Sequence, residues 1–211
     1  MTVEVLHCAQ GQPEWFAARM GLPTASEFHT VMAKGKDGGR SLTRDAYMRK
    51  LAGEVLTEEP APEGYSNGFM ERGKLLESEA RAMFAFMHDV EPEIVGFIRN
   101  GKKGASPDSL VGLRSGLEIK TAIPAVQIER LQQNRLPPEH VAQVQGTLWV
   151  AERDTWHFMS YCPKLPPLIV EVRRDETYIK RLSEAVDAFN EELDNLVASI
   201  RGVDQFRAAA A

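Results

Sequence analysis

A proline–aspartate pair, Pro107-Asp108, followed by Leu117-Glu118-Ile119-Lys120, is the segment of this 211-residue chain whose residue types and spacing point to chemistry. Along an extended strand successive side chains alternate, so Glu118 and Lys120 share one face while Leu117 and Ile119 point the other way, into a core. If residues 109–113 and 116–121 pair as a hairpin, Asp108 opens one strand beside the end of its partner. Two carboxylates and an ammonium then converge on one spot. Asp108 and Glu118, with the Ile119 main-chain carbonyl as a third oxygen, are a donor set for a hard cation such as Mg2+, which keeps several waters and takes substrate oxygens as well. Such a cation lowers the pKa of a bound water and offsets charge on a phosphoryl oxygen, and Lys120 can orient or deprotonate the attacking water. The chemistry expected is phosphodiester hydrolysis. The competing reading is a solvated strand face with a cross-strand ion pair. The Pro-Asp at hairpin distance, and the apolar residues between the charges, weigh against it.

The elements that must hold this hairpin can be read around it. Residues 14–34 suggest two short helical pieces broken at Gly21 and Pro23, with Thr24 or Ser26 as N-cap of the second. Residues 43–57 and 67–88 carry apolar side chains at helical spacing, with a loop containing Pro, Gly and Asn between them. From residue 93 the period becomes two, over 93–100, 109–113 and 116–121, which predicts consecutive antiparallel strands. A polar connector over 125–136, a helix over 138–151, strands over 155–161 and 168–174, and an amphipathic helix over 176–200 complete the pattern. This order predicts an α/β (α+β) fold with a mixed central β-sheet flanked by helices. A single domain over 1–211 is expected, with 208–211 as a frayed tail.

Thirty acidic residues against 25 basic ones give a net charge of -5, which excludes a protein that coats nucleic acid through its overall charge. Positive charge must then be local: residues 34–50 hold six basic and two acidic side chains, and Arg99, Lys102 and Lys103 lie beside the hairpin. Acids gather elsewhere, seven against two bases over 175–194, so an acidic exterior around a basic DNA channel is expected. Two cysteines, Cys8 and Cys162, exclude a four-thiolate cluster or a disulfide framework. No apolar run approaches the roughly 20 residues of a membrane span, and the first residues lack the pattern of a signal peptide. A cytoplasmic protein with no membrane partner is expected.

Pro-Asp followed by Glu-x-Lys is the pattern of the restriction-endonuclease-like nuclease superfamily. Further blocks at residues 18–34, 73–81, 104–112, 116–120 and 142–150, with Tyr161 and residues 170–179, resemble the lambda-phage exonuclease family of viral recombination nucleases, and in the family's order. The resemblance implies a restriction-endonuclease-like core and an exonuclease dependent on Mg2+, with Mn2+ as the alternative and two ions in the site. It implies entry at duplex DNA ends, degradation of one strand from its 5′ end to mononucleotides, and a 3′ single strand left for a single-strand annealing protein. It also implies a ring-shaped homotrimer, in a bacterial host carrying a phage or prophage.

By the same resemblance Glu77 is the helix-borne acid of the site, a ligand of the metal or of its water. On a plain helix it would be the i,i+4 partner of Arg81. An enzyme specific for 5′ ends needs a pocket for a terminal phosphate, which guanidinium, hydroxyl and amide donors suit. Arg19, Ser26, Ser106 and Gln143 stand in the matching blocks; the plainer roles are an N-cap for Ser26, a turn serine for Ser106 and a polar helix position for Gln143. Lys34 and Lys36, in a glycine-rich loop, are candidate DNA contacts, and Met70 either packs in the core or wedges apart the terminal base pair. Two other readings of the whole chain are a different nuclease of the superfamily, such as an endonuclease, and a non-catalytic module that binds DNA ends.

Overall fold

The computed structural model describes residues 2–36, 38–39, 41–61 and 68–209, with the side chains of 68–72, 74 and 203–209 outside the description. In chain order the elements are β1 (Glu4–Leu6), α1 (Pro13–Arg19), α2 (Phe28–Val31), α3 (Leu42–Thr57), α4 (Gly68–His88), β2 (Phe97–Arg99), β3 (Gly104–Ala105), β4 (Ser109–Val111) and β5 (Ser115–Thr121). There follow α5 (Pro124–Gln133), α6 (Val141–Ala151), β6 (Thr155–Tyr161), β7 (Leu168–Arg173) and α7 (Glu176–Ala209). Local chemistry sets several of the boundaries. Proline occupies the first turn of α1 and α5, where its missing N–H costs nothing, and the Ser41 hydroxyl caps α3 by accepting from the Arg44 N–H.

The strands form two sheets. One is β1-β2-β3, antiparallel throughout; the other is β4-β5-β6-β7, in which β5 and β6 run parallel and the outer pairs antiparallel. Parallel neighbours need a long crossover, and here it carries α5 and α6. Glu93 and Leu110 exchange both backbone hydrogen bonds at 2.8 Å, which ties the segment before β2 to β4. Alternation then sorts the side chains of the larger sheet. Leu117, Ile119, Met159 and Tyr161 pack with Ala80 and Phe84 under α4. Trp156 and Phe158 face the other way, in a core shared with Val144 and Leu148 of α6, Tyr47 and Met48 of α3, and Leu182 and Phe189 of α7. Glu118 and Lys120, alternating with Leu117 and Ile119, therefore belong to the α6 layer.

This is the mixed sheet between helices that the sequence predicts, with three differences. Residues 97–99 do not join the hairpin's sheet; they pair with β1, a three-residue strand too short to show a period of two. The polar stretch over 125–136 is largely the helix α5, which buries Gln127 and leaves Ile128 half-exposed. The last helix continues through Ala209, and Ala210 and Ala211 lie outside the described residues.

Helix α6 is buried on almost every side, and Gly146 fixes how close it comes to the layer beneath it. A Cβ there would stand 2.3 Å from Cδ2 of the fully buried Phe28. Gly146→Ala gains about 1 kcal/mol of helix propensity and still lowers stability overall, since overpacking a tight core costs about 1–3 kcal/mol. The check is urea unfolding, with an unchanged midpoint as the contrary result.

Candidate active site

The hairpin of β4 and β5 pairs Ser109 with Leu117 and Val111 with Ser115, turning through Gly112 at φ 53°. Asp108 thus stands one residue before β4, level with the stretch of β5 that runs past its partner. There the Ile119 N–H donates to Asp108 Oδ2 at 2.5 Å. Within a strand residue the N–H and C=O point to the same edge, so the Ile119 carbonyl faces the Asp108 side too. Lys120 Nζ lies 2.6 Å from Glu118 Oε1, and the Gln143 amide of α6 donates to the same oxygen at 2.7 Å.

Burial dominates the electrostatics. It drives the Asp108 carboxyl well above the ordinary range, reinforced by the charges of Glu118 and Glu77 and only partly offset by the Ile119 N–H and Lys120. Glu118 is also raised, by burial first, against the pull of Lys120 and Gln143. Burial alone would lower Lys120, but Glu118, Asp108 and Glu77 outweigh it and the ammonium is held above its usual value. The donor set fits a hard divalent cation: two carboxylates that repel each other, an adjoining main-chain carbonyl, and no soft ligand. Among the described residues no three His, Cys, Asp or Glu side chains gather closely enough to hold a metal by themselves, so water and substrate oxygens would complete the shell.

A cavity of about 220 Å³ opens on this pair, lined by Arg19, Ser26, Ser106, Gln143, Asp108, Glu118 and Lys120 together with Trp15 and Thr24. All four residues expected around a terminal phosphate are therefore brought to the acidic pair. Ser26 arrives on a 3-10 turn, Ala25–Glu27, that β3 pins through a Thr24–Gly104 bridge, while the Tyr47 hydroxyl accepts from the Thr24 N–H at 3.2 Å. Burial pushes the Tyr47 phenol up to about 12, so it stays protonated. Neither hydroxyl caps this turn; Thr24 Oγ1 and Ser26 Oγ lie 3.2 Å apart and bond each other.

Sequence reasoning missed Trp15. Its indole N–H donates to Ser106 Oγ at 2.9 Å and to the Gly96 carbonyl at 3.1 Å, and the Arg19 guanidinium lies 4.1 Å from its ring. The spacing of four between Trp15 and Arg19 on one short helix was the available signal.

Other expected residues lie outside the cavity lining. Glu77 does not line the cavity; its carboxylate is paired with Arg81. Lys34 and Lys36 are exposed after α2, outside the lining, and the Met70 side chain lies outside the described residues. The basic patches are smaller than the composition implies. Arg44 forms a two-pronged pair with Glu192 at 2.8 Å, Lys102 pairs with Asp194 at 2.5 Å, and Arg114 pairs with Asp154. A larger cavity of about 620 Å³ between α3, α7 and β2 has Asp194 as its acid, already tied to Lys102, and so lacks the acid pair of the smaller one.

Acid pair, lysine and mixed sheet together define a nuclease of the restriction-endonuclease-like class. Residues 14–154 match the YqaJ-like viral recombinase domain. The chain belongs to that family, the lambda exonuclease family, and is a deoxyribonuclease. LHK-Exo in complex with dAMP is similar at 31% identity and a TM-score of 0.82, over 95% of this chain and 100% of that one. A second structure of that protein, described as an alkaline exonuclease from Laribacter hongkongensis, gives 30%, 0.81 and the same coverage. A phage-related exonuclease from Haemophilus somnus 129PT shares the fold at 17% identity and a TM-score of 0.66, over 85% of this chain and 96% of that one. Over 64 residues the chain is 34% identical to the uncharacterised protein ExoD of Escherichia coli K12, covering 29% of this chain and 74% of that one.

A carboxyl whose pKa is raised in the folded protein adds stability at low pH and loses it as the pH rises through the folded value. At pH 8 without metal, Asp108 and Glu118 therefore strain the fold. Asp108→Asn keeps an oxygen for the Ile119 N–H and removes the repulsion. It should raise the melting temperature in chelator-treated buffer, abolish nuclease activity, and lack the rise in melting temperature expected of the unaltered protein on adding a divalent cation. A lower metal-free melting temperature would contradict this electrostatic account.

Proposed function

We propose that the chain is a Mg2+-dependent exonuclease that digests one strand of duplex DNA from its 5′ end, releasing 5′-mononucleotides and leaving a 3′ single strand. The observation that carries the reading is that the Arg19–Ser26–Ser106–Gln143 cluster shares one small cavity with Asp108, Glu118 and Lys120. A terminal phosphate held there brings the nearest phosphodiester to the acids, and each cleavage presents the next 5′ phosphate. Geometry of this kind favours an end-dependent enzyme over one that cuts within a duplex. The dAMP bound to LHK-Exo, a nucleoside monophosphate, is in keeping with such a product.

Asp108, Glu118 and the Ile119 carbonyl would hold the cation, with Glu77 as a further ligand; Mn2+ is the natural substitute for Mg2+. When bound, the cation supplies Lewis-acid polarisation of the phosphoryl oxygen and a more acidic water. Lys120, kept protonated by its acidic neighbours, orients the attacking water and stabilises charge on the pentavalent phosphorus. Trp15 gives its indole proton to Ser106 Oγ, which frees the Ser106 hydroxyl proton for a phosphate oxygen, and holds Arg19 against its ring face. Lys34 and Lys36, exposed on their loop, would make backbone contacts independent of sequence, and Met70 is assigned to the terminal base pair. Action as a ring-shaped trimer, transfer of the 3′ strand to a single-strand annealing protein, and residence in the cytoplasm of a bacterium carrying a phage or prophage belong to the same proposal. No helix among the described residues is long and apolar enough to cross a membrane.

Linear duplexes with 5′-phosphate or 5′-hydroxyl ends, with and without Mg2+, test this directly. Digestion should need Mg2+ and prefer the phosphate. Arg19→Ala should erase that preference, a loss of about 10–100-fold, since a charge-assisted hydrogen bond is worth about 1.5–3 kcal/mol. Equal rates on both ends would refute the phosphate pocket, and cutting of covalently closed circles would show an endonuclease. Lys120→Ala should lower kcat by about 10²–10³-fold, as for other groups that stabilise transition-state charge.

A further inference from the structure

We propose that Arg81 is a positioning residue that occupies Glu77 as an internal counter-cation, so that the DNA-free centre holds one divalent ion and Glu77 joins the metal shell only when substrate arrives. The inference rests on the metal-dependent reading above and concerns how that site is filled.

The Arg81 guanidinium is largely buried and has three hydrogen-bond partners. Nη2 is paired with Glu77 Oε1 and lies 3.3 Å from the Asp108 carbonyl, while Nε donates to Ser109 Oγ at 2.8 Å. With its oxygen taken by Arg81, the fully buried Ser109 hydroxyl donates to the Asp108 carbonyl at 2.6 Å. One side chain thus joins the helix-borne acid to the peptide that carries Asp108, and α4 to the start of β4. It also turns the Glu77 carboxylate toward the guanidinium, which agrees with the absence of any gathered trio of acids among the described residues.

Charge counting gives the consequence. Asp108, Glu118 and Glu77 are offset by Lys120 and Arg81, and Arg19 lines the same cavity, so a single divalent ion makes the centre net positive. A second would enter against that charge in a setting of low polarity. A phosphodiester restores a negative charge, and Glu77 can then exchange Arg81 for an ion. Without Arg81 the free centre has one more uncompensated negative charge, and the barrier to a second ion is lowered.

The experiment is a Mn2+ titration of the whole protein without DNA, with free Mn2+ followed by electron paramagnetic resonance. The unaltered chain should bind one ion, Arg81→Gln two, and Arg81→Lys one, because it keeps the charge. Glu77→Gln should shift the affinity for the first ion by less than about threefold, against the roughly 10–100-fold typical of groups that support a bound metal, and should still lose digestion. One ion or none on folded Arg81→Gln overturns the proposal, as does a tenfold or larger loss of affinity in Glu77→Gln. If Arg81→Gln does not fold, Arg81→Lys and Glu77→Gln decide. Asp108→Asn separates the two levels. Mn2+ binding that survives in it overturns the metal reading and this proposal together, whereas loss there with one ion on Arg81→Gln overturns this proposal alone.

Discussion

Two carboxylates held side by side, the half-buried Asp108 and the buried Glu118, are the constraint around which the rest of the structure is arranged. Left alone they repel in a setting where charge is costly to bury. Each group that offsets this comes from a different place: the Ile119 N–H from the overhanging part of β5, Lys120 from one residue further along, and the Gln143 amide from α6. The hairpin register, the strand that outruns its partner, and the close seating of α6 are thus requirements of one electrostatic problem. The apolar surroundings of α6 and the two cores on either face of the sheet supply the stability that this local strain removes.

Orientation matters as much as attraction. Hydrogen bonds fix one oxygen of each acid on the cavity wall, and the Trp15 indole constrains Ser106 by fixing which way its proton can point. Trp15 also reaches the Gly96 carbonyl just before β2. The wall that would hold a terminal phosphate and the wall that would cleave are therefore referenced to one rigid frame. A shift of about 1 Å between reacting groups can cost a hundredfold in rate, so a shared frame is what the proposed placement of a terminal phosphate requires.

Much of this was legible in the sequence because it is local. Asp108, Glu118 and Lys120 are separated by a single hairpin, and period-two alternation settles which of them share a face. The helix-borne blocks followed from resemblance, and the fold brings Arg19, Ser26, Ser106 and Gln143 to the acids. What could not be read depends on pairings distant in sequence. β1 is only three residues long and takes its partner from 93 residues away, Val5 against Ile98. α5 packs in part through the buried amide of Gln127, which donates to the Ser160 and Pro166 carbonyls far away in sequence. Trp15 reads as a core residue by type; only the fold shows its N–H spent on Ser106.

Net charge was the least transparent feature, since a composition cannot say which charges meet. The acids of α7 are not merely an outer face. Glu192 takes Arg44 and Asp194 takes Lys102, cations that composition alone assigns to DNA. At physiological salt, charges separated by more than about 8 Å are largely screened, so a paired arginine contributes little to attracting DNA at a distance. Lys34 and Lys36 stay exposed, while Arg19 and Lys120, the latter itself paired with Glu118, act at short range inside the cavity. An enzyme that acts at ends gains from that economy: a uniformly basic surface would hold internal duplex as firmly as a terminus, whereas cations confined to a 220 Å³ cavity reward only a phosphate that can enter it.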